Sequence, residues 1–283
     1  DNIIPYIKDL KKRFPEYKKL VISGGLFANV KANQKINEHC GFEEIFVAPP
    51  MGDEGLSLGG AILASWKLGE WEHKPAKDVF FGLEYSNDQV TEAALNFNIK
   101  ILGNYHNHTD FITSELQQKK IFGIFNGRFE LGPRALGNRS VIMEATNRYN
   151  HSHLNQRFGR DETMPFAPIV LTEKAKEVFD IKSSEFAAEF MTLCYNVKEE
   201  WKEKIPAVTH LDGTARPQIV RVDVHPVFYN ILYHYDKWTN IPVLINTSFN
   251  GHGEPIIDTP EQAFAHLEKG SIDYLIINNM LYV

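Results

Sequence analysis

The first 67 residues alternate short apolar runs, glycine-bearing turns and helical patterns, and this order constrains the fold more than any other feature of the chain. Ile4, Ile7, Leu10 and Phe14 lie three or four residues apart, as one face of a helix requires. The pattern after them predicts strands over 19–23 and 44–48, helices over 29–40 and 56–67, and a loop over 49–55. Strand, turn, helix, strand, loop and helix in this order indicate α/β architecture.

A second unit follows a stretch in which the pattern weakens. Gly69, Pro75, Gly82 and Asn87 interrupt residues 69–88, and they predict a boundary between domains at 1–80 and 81–283. Beyond the boundary, the pattern predicts helices over 88–97, 227–238 and 259–270, and strands over 119–125, 219–224, 242–245 and 272–277. Both predicted units are therefore α/β.

The bulk composition argues against several classes of protein. The formal net charge of -6 disfavours a general nucleic-acid binder, because such a surface needs an excess of lysine and arginine. No stretch approaches the roughly 18 apolar residues that span a bilayer. Cys40 and Cys194 are too few for a disulfide framework and match no metal-binding spacing, so we expect a cytoplasmic protein. The charge and the apolar pattern lead us to expect neither a nucleic-acid partner nor a membrane. The start at Asp1, directly before a helical pattern, is what a segment cut from a longer protein would show.

Two loops of the first unit could carry chemistry. In Ser23-Gly24-Gly25, ahead of Asn29, glycines between a strand and a helix let backbone N–H groups approach an anion. Plain turn geometry, with Asn29 as a helix cap, is the alternative. Asp53 stands in a glycine-flanked loop after a strand, where open α/β sheets bind ligands, so it could ligate a metal or form part of a turn.

The most informative motif is an arginine-rich segment over 126–140. Arg128, Arg134 and Arg139 lie within twelve residues of an otherwise acidic protein, together with Glu130. The planar fork of arginine matches phosphate and carboxylate oxygens two at a time, so a cluster of arginines beside glycines predicts an anion pocket. A solvated charged surface is the alternative.

Three further segments combine polar groups. Arg160 precedes a Pro-Phe-Ala-Pro run at 165–168. The loop 209–218 mixes groups suited to proton transfer and phosphate binding with residues that commonly form turns. The segment 246–251 follows a predicted strand and could bind a nucleotide or a carbamoyl group, or form a capped turn.

Together and in this order, these motifs resemble the carbamoyltransferase family that includes the O-carbamoyltransferases of nodulation-factor and cephalosporin-type antibiotic synthesis. The resemblance covers almost the whole chain, and its most specific segments are 127–140, 165–168, 210–216, 246–250 and 253–255. It implies that the chain activates carbamoyl phosphate with ATP to a carbamoyl adenylate. The acceptor would be a hydroxyl of a small molecule such as a sugar or an antibiotic.

The resemblance also implies a fold and cofactors. Residues 1–80 would be part of the second lobe of an actin-like (ASKHA) carbamoyl-transfer domain, and residues 81–283 would be a YrdC-like domain that forms the adenylate. Mg2+ would accompany ATP, and an iron-type divalent ion (Fe2+) would occupy the transfer site. An N-terminal lobe of the same protein would complete that site, and a homodimer is left open.

Site residues follow from the resemblance position by position. The metal-binding aspartate is matched by Asp53, and the adenylate-binding turn by Ser23, Gly24, Gly25 and Asn29. The segment that binds carbamoyl phosphate and the phosphates of ATP is matched by Arg128, Arg134, Asn138, Arg139 and Ser140. Further candidates for lining the pocket are Arg160, His210, Arg216, Thr247, Ser248 and Asn250. Arg128, Arg134, Arg139 and His210 are the predicted catalytic residues.

The chain departs from the family pattern in two respects. No two histidines lie four residues apart, whereas the family's metal site contains such a pair, assigned here to the N-terminal lobe. Phe158 and Met164 stand where many members have a lysine and an arginine, which weakens the expected phosphate binding. Two alternatives remain open: a YrdC-like ligase that makes threonylcarbamoyl adenylate for tRNA modification, and a non-catalytic nucleotide-binding module that docks on a partner protein.

Overall fold

The computed structural model describes residues 2–72, 77–160 and 165–283. The helices are α1 Ile3–Arg13, α2 Val30–His39, α3 Glu54–Lys67, α4 Asn87–Ala94, α5 Thr109–Gln117, α6 Asn150–Phe158, α7 Ala175–Val178, α8 Glu185–Ala188, α9 Glu199–Lys202, α10 Pro226–Thr239 and α11 Pro260–Glu268. The strands are β1 Lys19–Ile22, β2 Glu44–Val47, β3 Ile101–Asn104, β4 Phe122–Phe125, β5 Arg139–Glu144, β6 Ala167–Leu171, β7 Tyr195–Asn196, β8 Thr214–Ala215, β9 Gln218–Val220, β10 Val243–Ser248, β11 Tyr274–Ile277 and β12 Met280–Tyr282.

The N-terminal residues form a small parallel unit. Strands β1 and β2 pair in parallel, with Lys19 opposite Glu44, and helices α1 and α2 pack against each other. The apolar face predicted for the first helix is present, and Ile7 is its buried residue. The prediction of a buried first strand was wrong, because only Ile22 of β1 is buried and Val21 remains 69% exposed.

An eight-stranded mixed sheet dominates the rest of the chain, and it confirms the predicted α/β class. Its strand order is β3-β12-β11-β4-β5-β10-β6-β9. Along β10, Val243 and Ile245 belong to one apolar cluster and Leu244 to another, because successive side chains of a strand point to opposite faces. Helices α5 and α10 cover the second face, whereas α4 and α11 cover the first, which explains why β4, β5 and β6 are buried throughout.

Several predicted elements are confirmed and others need correction. The helix expected from Thr259 begins there with a capping box, in which the Thr259 and Gln262 side chains each bond the other's backbone N–H. The predicted strand over 219–224 ends at Val220, because Arg221 to Val224 form a turn. Strand β5 was not predicted, and it lies at the centre of the sheet.

Strand β10 extends past the start of β6, beside the arginine-rich loop. Strand β6 begins at Ala167, which pairs with Asn246 of β10. Thr247 and Ser248 continue β10 and pair with β5 on the other side. The carbonyl of Ser248 also accepts a hydrogen bond from Arg160 Nη2 at 2.7 Å.

None of the helices in the described part of the chain combines the length and apolarity needed to cross a membrane.

Candidate functional site

A small cavity of about 220 Å³ lies beside the end of β10. Its lining residues are Pro133, Arg134, Ala135, Pro165, Phe166, Ala167, Met191, Arg216, Asn246, Thr247 and Ser248. Three segments singled out in the sequence, at 126–140, 165–168 and 246–251, thus meet with Arg216 around one space. Of the predicted site residues, Arg134, Arg216, Thr247 and Ser248 line it.

Arg134 and Arg216 give the cavity its charge. Burial lowers the pKa of both guanidinium groups, that of Arg216 to about 10, and the charge of Arg134 contributes to the lowering at Arg216. Arg134 Nη2 donates one long hydrogen bond of 3.4 Å to the carbonyl of Ala28, and its buried Nε has no partner among the described residues. Neither arginine forms an ion pair within the part of the chain that the structure describes. Two adjacent cations without a carboxylate favour a bound anion.

The loop over 127–140 presents Arg134 through a set of internal hydrogen bonds. The carboxylate of Glu130 is buried, and its Oε1 accepts from the backbone N–H groups of Leu136 (2.6 Å), Asn138 (3.1 Å) and Arg139 (3.2 Å). Burial raises the pKa of Glu130, and these N–H groups act in the opposite direction. The carboxylate therefore ties the second half of the loop to the first.

Arg139 and Arg128 bind backbone rather than the cavity. Arg139 is fully buried, donates to the carbonyls of Asn126, Gly127, Asn138 and Leu83, and stacks 3.6 Å from the ring centroid of Phe125. Arg128 donates to the carbonyls of Gly82 and Phe81. The structure thus separates the three arginines of the motif, and only Arg134 lines the cavity.

Asn138 and Ser140 also brace the loop. The Nδ2 of Asn138 donates to the carbonyl of Arg128 at 2.7 Å, and the Oγ of Ser140 accepts from the N–H of Gly137 at 3.0 Å. Gly137 has a φ of +121°, a conformation that a side chain would strain. Both predicted ligand-binding residues therefore contribute to the shape of the loop.

Arg160 lies against the end of β10. Its guanidinium donates to Thr247 Oγ1 at 3.0 Å, to the carbonyl of Ser248 at 2.7 Å, and to the carbonyl and Oδ1 of Asn250 at 2.6 and 2.9 Å. Asn250 Nδ2 in turn donates to the carbonyls of Gly251 and Glu254. Arg160 and Asn250 thus fix the end of β10. Thr247, which accepts a hydrogen bond from Arg160, also lines the cavity.

His210 belongs to a turn beside the cavity. Asp212 Oδ1 accepts from the backbone N–H and Oγ1 of Thr214, and Asp212 Oδ2 lies 2.7 Å from Lys31 Nζ. His210 Nδ1 lies 3.2 Å from the same threonine hydroxyl, and burial lowers the pKa of its imidazole. The turn-forming interpretation of this His–Asp pair fits the geometry, and the ion pair links the turn to helix α2.

A buried amide network at the cavity was missed by the sequence analysis. Asn246 is 1% exposed, and its Nδ2 donates to the carbonyl of Ala135 at 3.0 Å and to Gln218 Oε1 at 2.8 Å. Gln218 Nε2 donates to the carbonyl of Leu136 and lies 3.4 Å from His225 Nε2. The sequence left segment 246–251 open between ligand binding and a capped turn and put Gln218 in a polar loop, so the pairing of these two side chains in the core was not predicted.

The two loops of the first unit lie next to the arginine-rich loop. Asn29 caps α2, since its Oδ1 accepts from the N–H groups of Lys31 and Ala32, whereas Ser23, Gly24 and Gly25 are exposed. A Cβ on Gly132 would lie 3.0 Å from the carbonyl oxygen of Pro49. The backbone of both loops therefore contacts the segment that carries Arg134.

The structure leaves the predicted metal site incomplete. Asp53 is exposed at the start of α3 and caps no backbone N–H. Residues 2–72, 77–160 and 165–283 contain no group of three histidine, cysteine, aspartate or glutamate side chains placed to hold a metal ion. A divalent ion needs several ligands, of which Asp53 could supply one.

Of the two positions that depart from the family pattern, only Phe158 lies among the described residues. Phe158 is buried, with its ring 6.4 Å from that of Phe249 and 5.6 Å from that of His266. It therefore serves the apolar core beneath Arg160 rather than the cavity. Asp161 and Met164 lie outside the described residues.

Comparisons with protein families identify two matching models. The model described as "Carbamoyltransferase C-terminus" matches residues 113–283, and the model described as "Carbamoyltransferase N-terminus" matches residues 2–62. The first match includes every residue that lines the cavity.

Relatives with similar sequences cover nearly the whole chain. An uncharacterised protein of Methanocaldococcus jannaschii is 32% identical, over 99% of this chain and 47% of its own length. Nodulation protein NolO of Bradyrhizobium diazoefficiens is 32% identical, over 93% of this chain and 49% of its own length. The chain thus spans about half the length of the curated relatives it matches. A solved structure of full-length HypF in a phosphate- and nucleotide-bound form aligns with a TM-score of 0.44 and 18% identity, over 65% of this chain and 22% of that one.

Proposed function

Because the chain belongs to the carbamoyltransferase family, we propose that its cavity binds carbamoyl phosphate and that the protein transfers the carbamoyl group to a hydroxyl of a small molecule. One observation carries the proposal: Arg134 and Arg216 line a small cavity whose described lining residues include no acidic side chain. Guanidinium groups bind phosphate oxygens in pairs, and they gain most from doing so where water is largely excluded.

The size of the cavity supports a small anion. Pockets for drug-sized ligands measure about 300–1,000 Å³. The cavity measures about 220 Å³, which suits carbamoyl phosphate better than a whole nucleotide. ATP would then meet the carbamoyl group from outside the cavity.

The proposed reaction forms a carbamoyl adenylate. Water attacks the carbonyl carbon of carbamoyl phosphate and phosphate leaves, which gives carbamate. A carbamate oxygen then attacks the α-phosphorus of ATP, and pyrophosphate leaves. Arg134 and Arg216 would hold the departing phosphate and stabilise the charge that develops on it. Burial lowers the pKa of His210, so its neutral imidazole is available to accept a proton, although its bond to Thr214 favours a supporting role.

Metal ions enter the proposal only outside the cavity. Mg2+ would accompany the phosphates of ATP. Asp53 would supply one ligand to an Fe2+-type ion in a transfer site shared with an N-terminal lobe. No step of adenylate formation depends on Asp53, so the two halves of the reaction can be tested separately.

The test is release of pyrophosphate from ATP that depends on carbamoyl phosphate. We expect the chain to release it, and Arg134→Ala to lose at least tenfold in rate, because removing one charged contact to a phosphate costs roughly 2–4 kcal/mol of transition-state stabilisation. Arg148→Ala is the matched control, since Arg148 is an exposed arginine that does not line the cavity.

The outcomes separate the alternatives. Release that requires threonine and bicarbonate instead of carbamoyl phosphate would favour the tRNA-modification ligase. Binding of ATP without release under any of these conditions would favour a non-catalytic module. Equal loss in Arg134→Ala and Arg148→Ala would remove the cavity from the mechanism.

A further inference from the structure

We propose that Lys31, in the first turn of helix α2, is a positioning residue for the anion cavity, because its ion pair with Asp212 holds the loop that carries Arg216. The proposal rests on the proposed function, since it concerns how that same cavity keeps its shape. Lys31 belongs to the N-terminal parallel unit, and it was not among the site residues predicted from the sequence.

The Lys31 ammonium group joins helix α2 to the turn over 210–214. Its Nζ lies 2.7 Å from Asp212 Oδ2 and donates to Gln34 Oε1 at 2.6 Å and to Thr214 Oγ1 at 3.2 Å. The other carboxylate oxygen, Asp212 Oδ1, accepts from the backbone N–H of Thr214 at 3.1 Å and from its hydroxyl at 2.6 Å. Lys31 and Asp212 therefore hold Thr214 together.

This ion pair is part of a larger network. The side chains of Lys31 and Asp212 are 40% and 51% exposed, and an isolated pair at such exposure contributes little. Thr214 and Gln34, however, are buried. Partial burial acts to raise the pKa of Asp212, but the hydrogen bonds from Lys31 and Thr214 outweigh it, and the pKa lies well below its ordinary value. The network therefore restricts the turn more than an exposed pair would.

The position of Arg216 depends on the backbone that precedes it. Arg216 follows Thr214 by two residues, and its side chain lines the cavity. Among the described residues, no hydrogen bond or ion pair holds its guanidinium group. The turn is closed by a hydrogen bond of 2.8 Å from the N–H of His210 to the carbonyl of Thr214. A shift of this turn would therefore move the guanidinium within the cavity.

Residues around the start of α2 also contact two other walls of the cavity. The carbonyl of Ala28 accepts the long hydrogen bond from Arg134 Nη2. Asn33 is fully buried, and its Nδ2 donates to the carbonyl of Thr192 at 2.8 Å. Thr192 directly follows Met191, which lines the cavity. The N-terminal unit thus contacts the chain beside both arginines, and Lys31 makes the contact on the side of Arg216.

Position and charge predict opposite results for one substitution. If Lys31 and Asp212 acted on an anion only through their charges, Lys31→Met would bind it more weakly and Asp212→Asn would bind it more tightly. Positioning instead predicts that both substitutions weaken binding. Asp212→Asn keeps an oxygen for Thr214, but it turns an NH2 group towards Lys31, which can only donate.

The experiment is calorimetric titration of the whole chain with inorganic phosphate. We expect Lys31→Met and Asp212→Asn each to weaken phosphate binding by about threefold to tenfold, and the double variant to weaken it by no more than the larger single effect. Lys31→Arg keeps a cationic donor for the Asp212 carboxylate, so its affinity should stay within about twofold of that of the unsubstituted protein.

Lys18 and Glu43 provide the matched control pair. Lys18 Nζ lies 2.8 Å from Glu43 Oε1 in the same N-terminal unit, and neither side chain lines the cavity. Lys18→Met and Glu43→Gln repeat the two charge changes and should leave the phosphate affinity unchanged. If Lys18→Met weakened binding as much as Lys31→Met, the effect would come from the net charge of the protein, and the role of Lys31 would be refuted.

The remaining outcomes separate this proposal from the proposed function. If Asp212→Asn binds phosphate as tightly as the unsubstituted protein, or more tightly, Lys31 does not position Arg216 through Asp212, and the proposal is refuted while the cavity keeps its function. Unchanged affinity in Lys31→Met would refute it in the same way. If the unsubstituted protein does not bind phosphate, the proposed function falls, and this proposal falls with it.

Discussion

Arg134 and Arg216 approach the same cavity from different parts of the chain, and the positive charge of the first helps to lower the pKa of the second. Arg134 comes from the loop before β5, and Arg216 lies between β8 and β9. Among the described residues no carboxylate pairs with either guanidinium, so a bound anion would relieve their mutual repulsion and stabilise the fold.

Phosphate should therefore stabilise the protein against heat. Binding to the folded state alone contributes about 2.7 kcal/mol at a ligand concentration 100 times the dissociation constant. We expect differential scanning fluorimetry to show a rise in melting temperature with added phosphate, and Arg216→Ala to abolish it. Arg216→Ala should be at least as stable as the unsubstituted protein without phosphate. An equal phosphate response in Arg216→Ala would show that the anion binds elsewhere.

Arg139 should prove essential for stability. Its guanidinium is the partner of four backbone carbonyls, and Arg139→Met would take the donor from the half-buried carbonyls of Asn126 and Gly127 and remove a fully buried side chain from the core. We expect the free energy of unfolding in urea to fall by about 3 kcal/mol or more. Arg128→Met, which removes two hydrogen bonds at an exposed position, should cost about 1 kcal/mol. A stable but inactive Arg139→Met would instead give Arg139 the catalytic role that the sequence predicted.

Gly132 should tolerate no side chain. Its φ of +114° strains any other residue, and a Cβ would approach the Pro49 carbonyl oxygen to 3.0 Å. We expect Gly132→Ala to lower the free energy of unfolding by about 2–3 kcal/mol. Gly253→Ala is the control, because Gly253 has a φ of +72° and no atom within 4 Å of the added Cβ. Its cost should be about 1 kcal/mol. If Gly132→Ala and Gly253→Ala lowered the free energy of unfolding equally, the backbone at Pro49 would have to move aside for the added Cβ without cost.

Stability should fall as the pH drops below the ordinary pKa of histidine. Burial, followed by the charge of Arg221, lowers the pKa of His225 from 6.5 to about 4, with Asp223 acting in the opposite direction. The unfolded chain therefore binds a proton that the folded protein does not, so this contribution is complete above pH 6.5 and is lost as the pH falls towards 4. The lowering corresponds to about 3 kcal/mol.

Urea unfolding at several pH values between 7 and 4 would measure this loss. His225→Leu should flatten the profile over that range, whereas His252→Gln, at an exposed position, should leave it unchanged. A profile in His225→Leu as steep as in the unsubstituted protein would assign the loss to other buried histidines.

The sequence predicted which segments contribute to the candidate site, but not which of their side chains line the cavity. The apolar periods of α1 and α10 and the capping pattern at Thr259 depend on neighbouring residues, so local chemistry was enough to predict them. The directions of Arg128, Arg134 and Arg139 depend on Gly127, Gly132 and Gly137, which all have positive φ. Such turns redirect the chain in ways that residue spacing alone does not specify.

Burial accounts for the other differences. Strand β5 begins with Arg139 and Ser140, so it resembled a polar loop although its six residues are all buried. The sequence left Asn246 open between ligand binding and a turn because its partners, Ala135 and Gln218, come from distant parts of the chain. Polar residues in a core become recognisable only when their partners are known.

The hydrogen bond between Arg134 Nη2 and the carbonyl of Ala28 joins the cavity to the turn that precedes α2. An anion in the cavity competes with this carbonyl for the same guanidinium group, or else uses the guanidinium in the position where the carbonyl holds it. In either case, occupancy of the cavity and the position of the turn are thermodynamically linked. Such linkage is reciprocal. If a bound anion stabilises one position of the turn by a given factor, then fixing the turn in that position raises the affinity for the anion by the same factor.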